Sequence, residues 1–512
     1  MDKAAIAANR FGLGARAGQH PPADPQHWLL DQIRAFDPRP AALQAVPGRG
    51  QLVEELADYQ QQAQQERLAA RANPAQAMAP GQAALAASSQ MEPAMAAPGA
   101  PAAMPAMVSP AGGRAAAAAA LPPSARQYLQ RGIRERYQAM GAARLDAALA
   151  SETPFVERLV HFWANHFAVS ADKLQVIGLA GSLEFEAIRP HVLGRFSDML
   201  LAVEQHPAML LYLDQVQSIG PNSRAAQLAA KRGQQRGLNE NLGREIMELH
   251  TLGVHGGYTQ ADVTEFARAL TGWSVAGLAR GPAARLLGAG TTGDFLFAPP
   301  IHEPGERTIM GKRYGQDGEE QARAVLGDLA AHPATARHIA TKLARHFAGD
   351  DPPPAMVDRL TQAYHTSSGD LPTVYRALIA SPEAWAPQPV KFKAPWEWLV
   401  SSLRGLGATT IPPQAAALLL NELGQPSWRP GSPAGWDDIA ASWAAPDALL
   451  RRVEVAQRIV QTAGNAPGDP RALADTLLPG AVGEATRTAI ARAETPQQGL
   501  ALLLVSPEFM RR

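Results

Sequence analysis

The first candidates for chemistry are two ionisable residues in a helix that should be buried. In the segment 239–252, NENLGREIMELHTL, Glu245 and His250 fall within the apolar arc of a helical wheel at about 100° per residue. Burial raises the pKa of a carboxyl group unless a cation pairs with it, and a raised pKa suits a general acid or base at neutral pH. A structural ion pair to another helix, through Arg268 or Lys342, explains Glu245 equally well.

A second set of polar residues lies in the motif HFWANHF at 161–167. Thr153 and Pro154 predict the start of this helix, as N-cap and first helical residue. His161 and Asn165 are four residues apart, so they share one face of the helix with Glu157. This face either lines a cleft beneath another helix or is solvated. His166 projects into the apolar arc, where a core imidazole bonded to a carbonyl or carboxylate is the simplest interpretation.

Two further candidates lie in loops, which often supply functional groups on a rigid scaffold. Tyr258 ends the glycine turn HGGY, and His302 lies in PPIHEPG, between FLF and RTIMGKRY. These flanking stretches predict a small β-hairpin with His302 near its tip, where a plain exposed turn is the alternative. The full set of catalytic candidates is His161, Asn165, Glu245, His250, Tyr258 and His302.

A metal site is not favoured by the spacing of these residues. Five residues turn a helix by about 140°, so Glu245 with His250, or His161 with His166, does not chelate one ion from one helix. The chain has no HExxH motif. A His and carboxylate site assembled from separate helices, with members drawn from His161, Glu245, His250 and His302, is left open. The sequence identifies no cofactor.

Composition excludes several classes of function. Lys+Arg and Asp+Glu both number 47, and no basic block with interleaved aromatics is present, so a nucleic-acid partner is not expected. The chain has no cysteine, which excludes disulfides and thiolate sites. No stretch is long enough to span a bilayer, and the N-terminal residues lack the apolar run of a signal peptide. As written, the chain is expected to be cytoplasmic.

The elements that must position these residues are helices. Apolar periodicity predicts a mainly α-helical fold, with a multi-helical core, one small hairpin and a long Ala/Pro/Met-rich linker. We predict an N-terminal helical segment at 1–72, a flexible low-complexity linker at 73–124, a helical core at 125–385 and a C-terminal helical part at 386–512. The core carries all six catalytic candidates.

Several motifs resemble those of a bacterial family known as domain of unknown function 1800. They are NRFGLG at 9–14, HFWANHF at 161–167, the run from Asn239 to Trp273, HEPGERTIMG at 302–311 and SPEF at 506–509. The resemblance spans nearly the whole chain and implies no specific chemistry. It does imply a partner, because such proteins are associated with an exported companion that resembles sulfatases and alkaline phosphatases.

Two classes of function follow from the sequence. In the first, the protein is an enzyme that uses a carboxylate and an imidazole as acid and base, most simply in hydrolysis. In the second, it is a non-catalytic partner that folds with or stabilises the sulfatase-like companion. In that case the chain could leave the cytoplasm folded, carried by a companion that has its own export signal.

Overall fold

The computed structural model describes residues 1–19, 22–72, 122–234, 237–463 and 468–512. Of the linker predicted at 73–124, only the last three residues belong to this described part. Helices dominate it, which confirms the predicted fold class. None of the described helices has both the length and the apolar composition that a membrane crossing requires.

The helices fall into three groups along the chain. The first is Lys3–Ile6, which continues as the π-helical turn Ala7–Phe11, then Pro25–Ala35 and Arg49–Ala72. The second is Pro123–Tyr128, Leu129–Ile133, Arg134–Ala150, Pro154–His166, Ala180–Ser182, Leu183–Ile188, Phe196–Glu204, Pro207–Tyr212, Arg224–Ala230, Asn241–Glu245, Ile246–His250, Gln260–Leu270, Pro282–Leu287, Glu319–Ala331, Pro333–Ala348, Pro354–Thr366 and Leu371–Ile379. The third is Pro395–Gly405, Pro413–Glu422, Pro446–Ala463, Pro470–Leu477, Glu484–Ala491 and Pro496–Leu504.

The short strands form two antiparallel pairs. Strand β1 (Trp273–Val275) pairs with β2 (Phe295–Phe297), and β3 (Arg307–Ile309) pairs with β4 (Lys312–Tyr314). The predicted pairing of FLF with RTIMGKRY is therefore wrong. RTIMGKRY folds on itself because Met310 and Gly311 adopt φ of 48° and 76°, the positive values that a tight two-residue hairpin turn needs.

Two hydrophobic clusters share the N-terminal segment and one long helix. Phe11 belongs to the larger cluster, where its ring centroid lies 4.7 Å from that of Trp385, whereas Leu13 belongs to the cluster of the C-terminal helices. Helix Arg134–Ala150 divides in the same way, with Met140 in the first cluster and Leu145 in the second. Because both elements are buried in both clusters, they join the central and C-terminal helices.

A buried arginine completes this junction. Arg404 is 2% exposed and donates to the carbonyl oxygens of Gly14 at 3.3 Å, Ala148 at 2.8 Å and Leu149 at 3.1 Å. Gly14 has φ of 96°, and an added Cβ there would lie 2.7 Å from the Cβ of Ser401. Only glycine fits this conformation at this distance. The glycine of NRFGLG thus brings the N-terminal segment onto helix Pro395–Gly405.

Replacing this arginine should destabilise the whole protein. We expect Arg404→Met to lower the free energy of unfolding by about 2–4 kcal/mol, because buried carbonyl oxygens lose their donors. The matched control is Arg458→Met, which removes a surface ion pair with Glu422 and should cost less than about 1 kcal/mol. Chemical denaturation of the three proteins tests this. Equal costs for the two variants would contradict it.

Candidate functional site

A pocket of 390 Å³ lies where helices Pro154–His166 and Pro333–Ala348 meet the start of helix Pro395–Gly405 and the loop 425–439. This loop carries Trp428 and Trp436, and we call it the tryptophan loop. The ionisable residues that line the pocket are Arg144, Arg158, His161, His166, His338, Lys342, Arg345, His346, Glu397, Asp437 and Asp438. A concave site with this many convergent polar groups is the natural candidate for function in this structure.

One helix contributes a stripe of four of these side chains. Helix Pro333–Ala348 begins at a proline after His332, whose Nδ1 accepts from the backbone N–H of Ala334 at 3.1 Å. His338, Lys342 and His346 follow at four-residue spacing, which aligns them on one face, with Arg345 beside them. The opposite face is buried in the larger hydrophobic cluster through Ile339 and Leu343, among others.

The carboxylate of Asp438, in the pocket wall, contacts the imidazole of His346 and the ammonium group of Lys391. Its Oδ2 lies 2.8 Å from Nδ1 of His346, and its Oδ1 lies 3.0 Å from Nζ of Lys391. Burial tends to raise the pKa of this carboxyl group, but His346, Lys391 and Arg512 outweigh that effect and hold the pKa well below its usual range. Asp438 therefore stays ionised at neutral pH.

Glu397 is held in the same way between two arginines. Its Oε1 accepts from Arg158 and lies 2.8 Å from Nη2 of Arg512, and Arg512 also donates to the carbonyl oxygen of His346 at 2.7 Å. Burial tends to raise the pKa of Glu397, but the charges of Arg512 and Arg158 outweigh burial and hold this pKa well below its usual range. We call Arg158, His346, Lys391, Glu397, Asp438 and Arg512 the buried ion network. Both of its carboxylates are committed to structural contacts.

His161 and Asn165 line the pocket, and of their polar atoms only Nε2 of His161 lacks a hydrogen-bond partner in the described part of the chain. The indole N–H of Trp396 donates to Nδ1 of His161 at 3.0 Å, and Nε2 of His161 lies 3.5 Å from Glu157, which in turn accepts from Arg189 at 2.6 Å. Asn165 donates to the carbonyl oxygen of Trp436 at 2.8 Å and accepts from its N–H at 2.7 Å. These two residues therefore position the walls of the pocket. The alternative of a solvated face is wrong.

Two other imidazoles are less constrained. Nε2 of His166 lies 3.1 Å from the carbonyl oxygen of His250, and Nε2 of His338 lies 3.1 Å from that of Leu249. A carbonyl only accepts, so each Nε2 carries the proton and each Nδ1 keeps a lone pair. In the described part of the chain, neither Nδ1 has a hydrogen-bond partner. The core imidazole predicted at His166 is confirmed, and it also faces the pocket.

Both imidazoles are neutral at physiological pH. Burial, followed by the nearby charge of Lys342, lowers the pKa of His166 well below 6.5 and that of His338 to about 4. A neutral imidazole with a free Nδ1 can accept a proton from a ligand or a water molecule. His166 and His338 are therefore the uncommitted bases of the pocket.

Lys342 is the uncommitted cation. It forms no hydrogen bond or ion pair with any residue of the described ranges. Burial lowers the pKa of its ammonium group to about 8; the charge of Asp438 opposes this shift and that of Arg345 adds to it. Arg345 is also largely unengaged, since its Nε donates to the carbonyl oxygen of Asp350 at 3.2 Å. At neutral pH both residues present positive charge to the pocket.

Glu245 and His250 do not line this pocket. The predicted α-helix from Asn239 to Leu252 is instead a short α-helix, Asn241–Glu245, followed by the π-helical turn Ile246–His250. His250 is fully buried, with its Nδ1 2.7 Å from Oε1 of Glu204. Glu245 is half-buried, and burial raises its pKa, as the sequence predicts. Neither predicted partner, Arg268 nor Lys342, forms an ion pair with it in the described structure.

The two loop candidates also lie outside the pocket. The hydroxyl of Tyr258 donates to Glu248 at 3.4 Å. Nδ1 of His302 lies 2.7 Å from the carbonyl oxygen of Thr271, and burial lowers its pKa. His302 follows the 3-10 turn Pro299–Ile301, so its predicted place at a hairpin tip is wrong. The structure thus brings only His161 and Asn165 of the six candidates to one site.

The sequence did not single out His338, Glu397 and Asp438, and it named Lys342 only as a partner for Glu245. The four-residue spacing of His338, Lys342 and His346 is a usable signal. Asp438 lies in a long loop, a common location for functional residues. Within the described ranges, no three His, Asp or Glu side chains form a group that could hold a metal ion.

A larger residue at Gly435 should separate the tryptophan loop from helix Pro154–His166, because Gly435 packs directly against Asn165. Gly435 has φ of 82°, and an added Cβ would lie 2.3 Å from the carbonyl oxygen of Asn165. We expect Gly435→Ala to break both hydrogen bonds between Asn165 and Trp436, and to accelerate limited proteolysis within 425–439. Gly431→Ala is the matched control, because an added Cβ there meets nothing within 4 Å. Unchanged cleavage in Gly435→Ala would contradict this contact.

Comparison with known proteins gives a family and no chemistry. The family model described as "Protein of unknown function (DUF1800)" matches residues 6–511. No curated protein and no solved structure matches the chain. The match includes every pocket residue named above and nearly all of the sequence, so the protein belongs to the DUF1800 family.

Proposed function

We propose that the protein is an enzyme of hydrolase type that acts on a small anionic substrate in this pocket. The observation that carries the proposal is the place of Lys342, an ammonium group without a partner in the described part of the chain, in one pocket lining with two neutral imidazoles whose Nδ1 atoms are free. A positive charge can stabilise the oxyanion formed when water attacks an ester carbonyl, and a base can accept the proton of that water.

In this mechanism each group has one role. The ammonium group of Lys342 stabilises the oxyanion that develops on the carbonyl oxygen, and Arg345 binds an anionic group elsewhere on the substrate. Nδ1 of His338 accepts the proton of the attacking water, since this imidazole is partly exposed whereas His166 is 1% exposed. The ring centroids of His166 and His338 lie 6.0 Å apart. The backbone carbonyls of Leu249 and His250 fix the tautomer of both imidazoles.

The carboxylates have a different role from the one that the sequence predicts. Glu397 and Asp438 are ionised and paired, so neither supplies a proton at neutral pH. They support catalysis by fixing the walls. The general acid or base is therefore an imidazole. The sequence predicts that it acts with a carboxylate, whereas in this mechanism it acts with the ammonium group of Lys342.

A matched pair of chromogenic esters tests the proposal. We expect hydrolysis of the anionic ester p-nitrophenyl succinate, with kcat/KM about tenfold or more above that for the neutral p-nitrophenyl butyrate. Lys342→Met should lower kcat/KM for the anionic ester by about 100-fold, the usual cost of losing one oxyanion-stabilising group. Lys231→Met, at an exposed position outside the pocket, is the control and should match the wild type. A wild-type rate no higher than that of Lys342→Met would contradict the proposal.

The pH profile gives an independent test. The active form has Lys342 protonated and His338 neutral, so kcat/KM should fall as pH rises through about 8 and as it falls through about 4. The charged groups that set the alkaline limb are Asp438, which raises the pKa of Lys342, and Arg345, which lowers it. In Arg345→Met the alkaline limb should therefore move to higher pH. An alkaline limb that stays in place would contradict the assignment to Lys342.

A further inference from the structure

The seven lysines of this chain differ in how their amines are occupied. Lys173 and Lys312 form surface ion pairs with Asp214 and Asp328. Lys391 is 1% exposed and is bound by Asp438 within the buried ion network. Lys342 alone combines a place in the pocket lining with the lack of any partner in the described part of the chain. An amine in this position is accessible to a ligand and to no competing protein group.

A comparison with Lys393 shows that the reactivity of a lysine amine depends on its accessibility as well as on its pKa. Burial lowers its pKa to about 7, below that of Lys342, so its amine is the more readily deprotonated of the two. Lys393 is nevertheless 1% exposed, donates to Ser401 at 3.2 Å, and lies with its Nζ 4.1 Å from the ring centroid of Phe509. It does not line the pocket. A reagent that needs both a free amine and space around it therefore distinguishes the two lysines.

We propose that Lys342 is a nucleophilic amine that forms an imine with a small 2-oxo acid bound in the pocket. Arg345 lies three residues along the same helix face, so it is placed to bind the carboxylate while the adjacent keto carbon meets Nζ of Lys342. A pocket of 390 Å³ accommodates such a molecule together with several water molecules. These two residues determine the class of ligand, which needs an anionic group to bind the guanidinium of Arg345 and a carbonyl group to react with the amine of Lys342.

The proton transfers are supplied by groups already in the pocket. The neutral amine of Lys342 attacks the keto carbon, and the alkoxide takes up the ammonium proton to give a carbinolamine. Nδ1 of His166 or His338 then accepts the remaining N–H proton of the carbinolamine and passes it to the hydroxyl group, which leaves as water while the C=N bond forms. One amine and one ketone give one imine and one water, with no change in oxidation state. With a pKa of about 8, a useful fraction of the amine is free at neutral pH.

This inference goes beyond the proposed hydrolysis and does not rest on it. Hydrolysis uses the ammonium form of Lys342 as an electrostatic group, whereas imine formation uses the neutral amine as a nucleophile. Either activity could therefore be present without the other, and one protein preparation can be tested for both.

Reductive trapping provides the experiment. The full chain is incubated with pyruvate and cyanoborohydride at about pH 8, digested and mapped by mass spectrometry. We expect one reduced pyruvate unit per chain, on Lys342. Lys342→Arg should lose this label, and Lys393→Arg should keep it. Equal labelling of Lys393 or of the surface lysines, or full labelling of the Lys342→Arg protein, would overturn the inference.

A neutral ketone tests the role of Arg345 separately. Arg345→Met should reduce labelling by pyruvate about tenfold more than labelling by hydroxyacetone, the usual effect of one charge-assisted contact, since the accompanying rise in the pKa of Lys342 affects both ketones alike. Equal effects on both ketones would overturn the assignment of the carboxylate to Arg345. The p-nitrophenyl succinate assay on the same preparation separates the two proposals. Hydrolysis without labelling would contradict only the proposal that Lys342 forms an imine. Labelling without hydrolysis would contradict only the proposal that the protein is a hydrolase.

Discussion

The buried ion network is the interaction on which the rest of the site depends. It joins helix Pro154–His166 through Arg158, helix Pro333–Ala348 through His346, helix Pro395–Gly405 through Glu397, and the tryptophan loop through Asp438. Arg512 closes it from the last residues of the chain. Removing one member of such a buried network costs about 3–5 kcal/mol, because a charge is left unpaired in a medium of low polarity. The pocket keeps its shape because this cost opposes any separation of its walls.

The network also determines which groups are left for chemistry. Its carboxylates are ionised and satisfied, and the imidazole of His346 is bound by Asp438. His161 and Asn165 are likewise bound, by Trp396 and by the backbone of Trp436. The groups that remain are Lys342, Arg345, the Nδ1 atoms of His166 and His338, Nε2 of His161 and the exposed Asp437, which accepts one hydrogen bond from Ser442. With Glu397 and Asp438 paired, Lys342 and Arg345 favour an anionic ligand, which is the common basis of the two proposals.

The sequence predicts local structure better than it predicts the site. Thr153 and Pro154 correctly place the start of the HFWANHF helix. The helical wheel for 239–252 assumes a regular α-helix, whereas the π-helical turn Ile246–His250 changes the angle per residue after Glu245. Lys342 could not be recognised as free from sequence, because its lack of a partner depends on where every other chain segment lies. The companion protein and the compartment stay predictions.

Both proposals depend on one uncommitted ammonium group, that of Lys342, and its pKa can be measured directly. Lysine labelled with ¹³C at Cε, with assignment by the Lys342→Arg variant, allows the titration of each lysine to be followed by NMR. We expect Lys342 to titrate at about pH 8, well below the ordinary value of about 10.4 for a solvated lysine. Titration of Lys342 at that ordinary value would show that its ammonium group is solvated or paired, and would contradict both proposals.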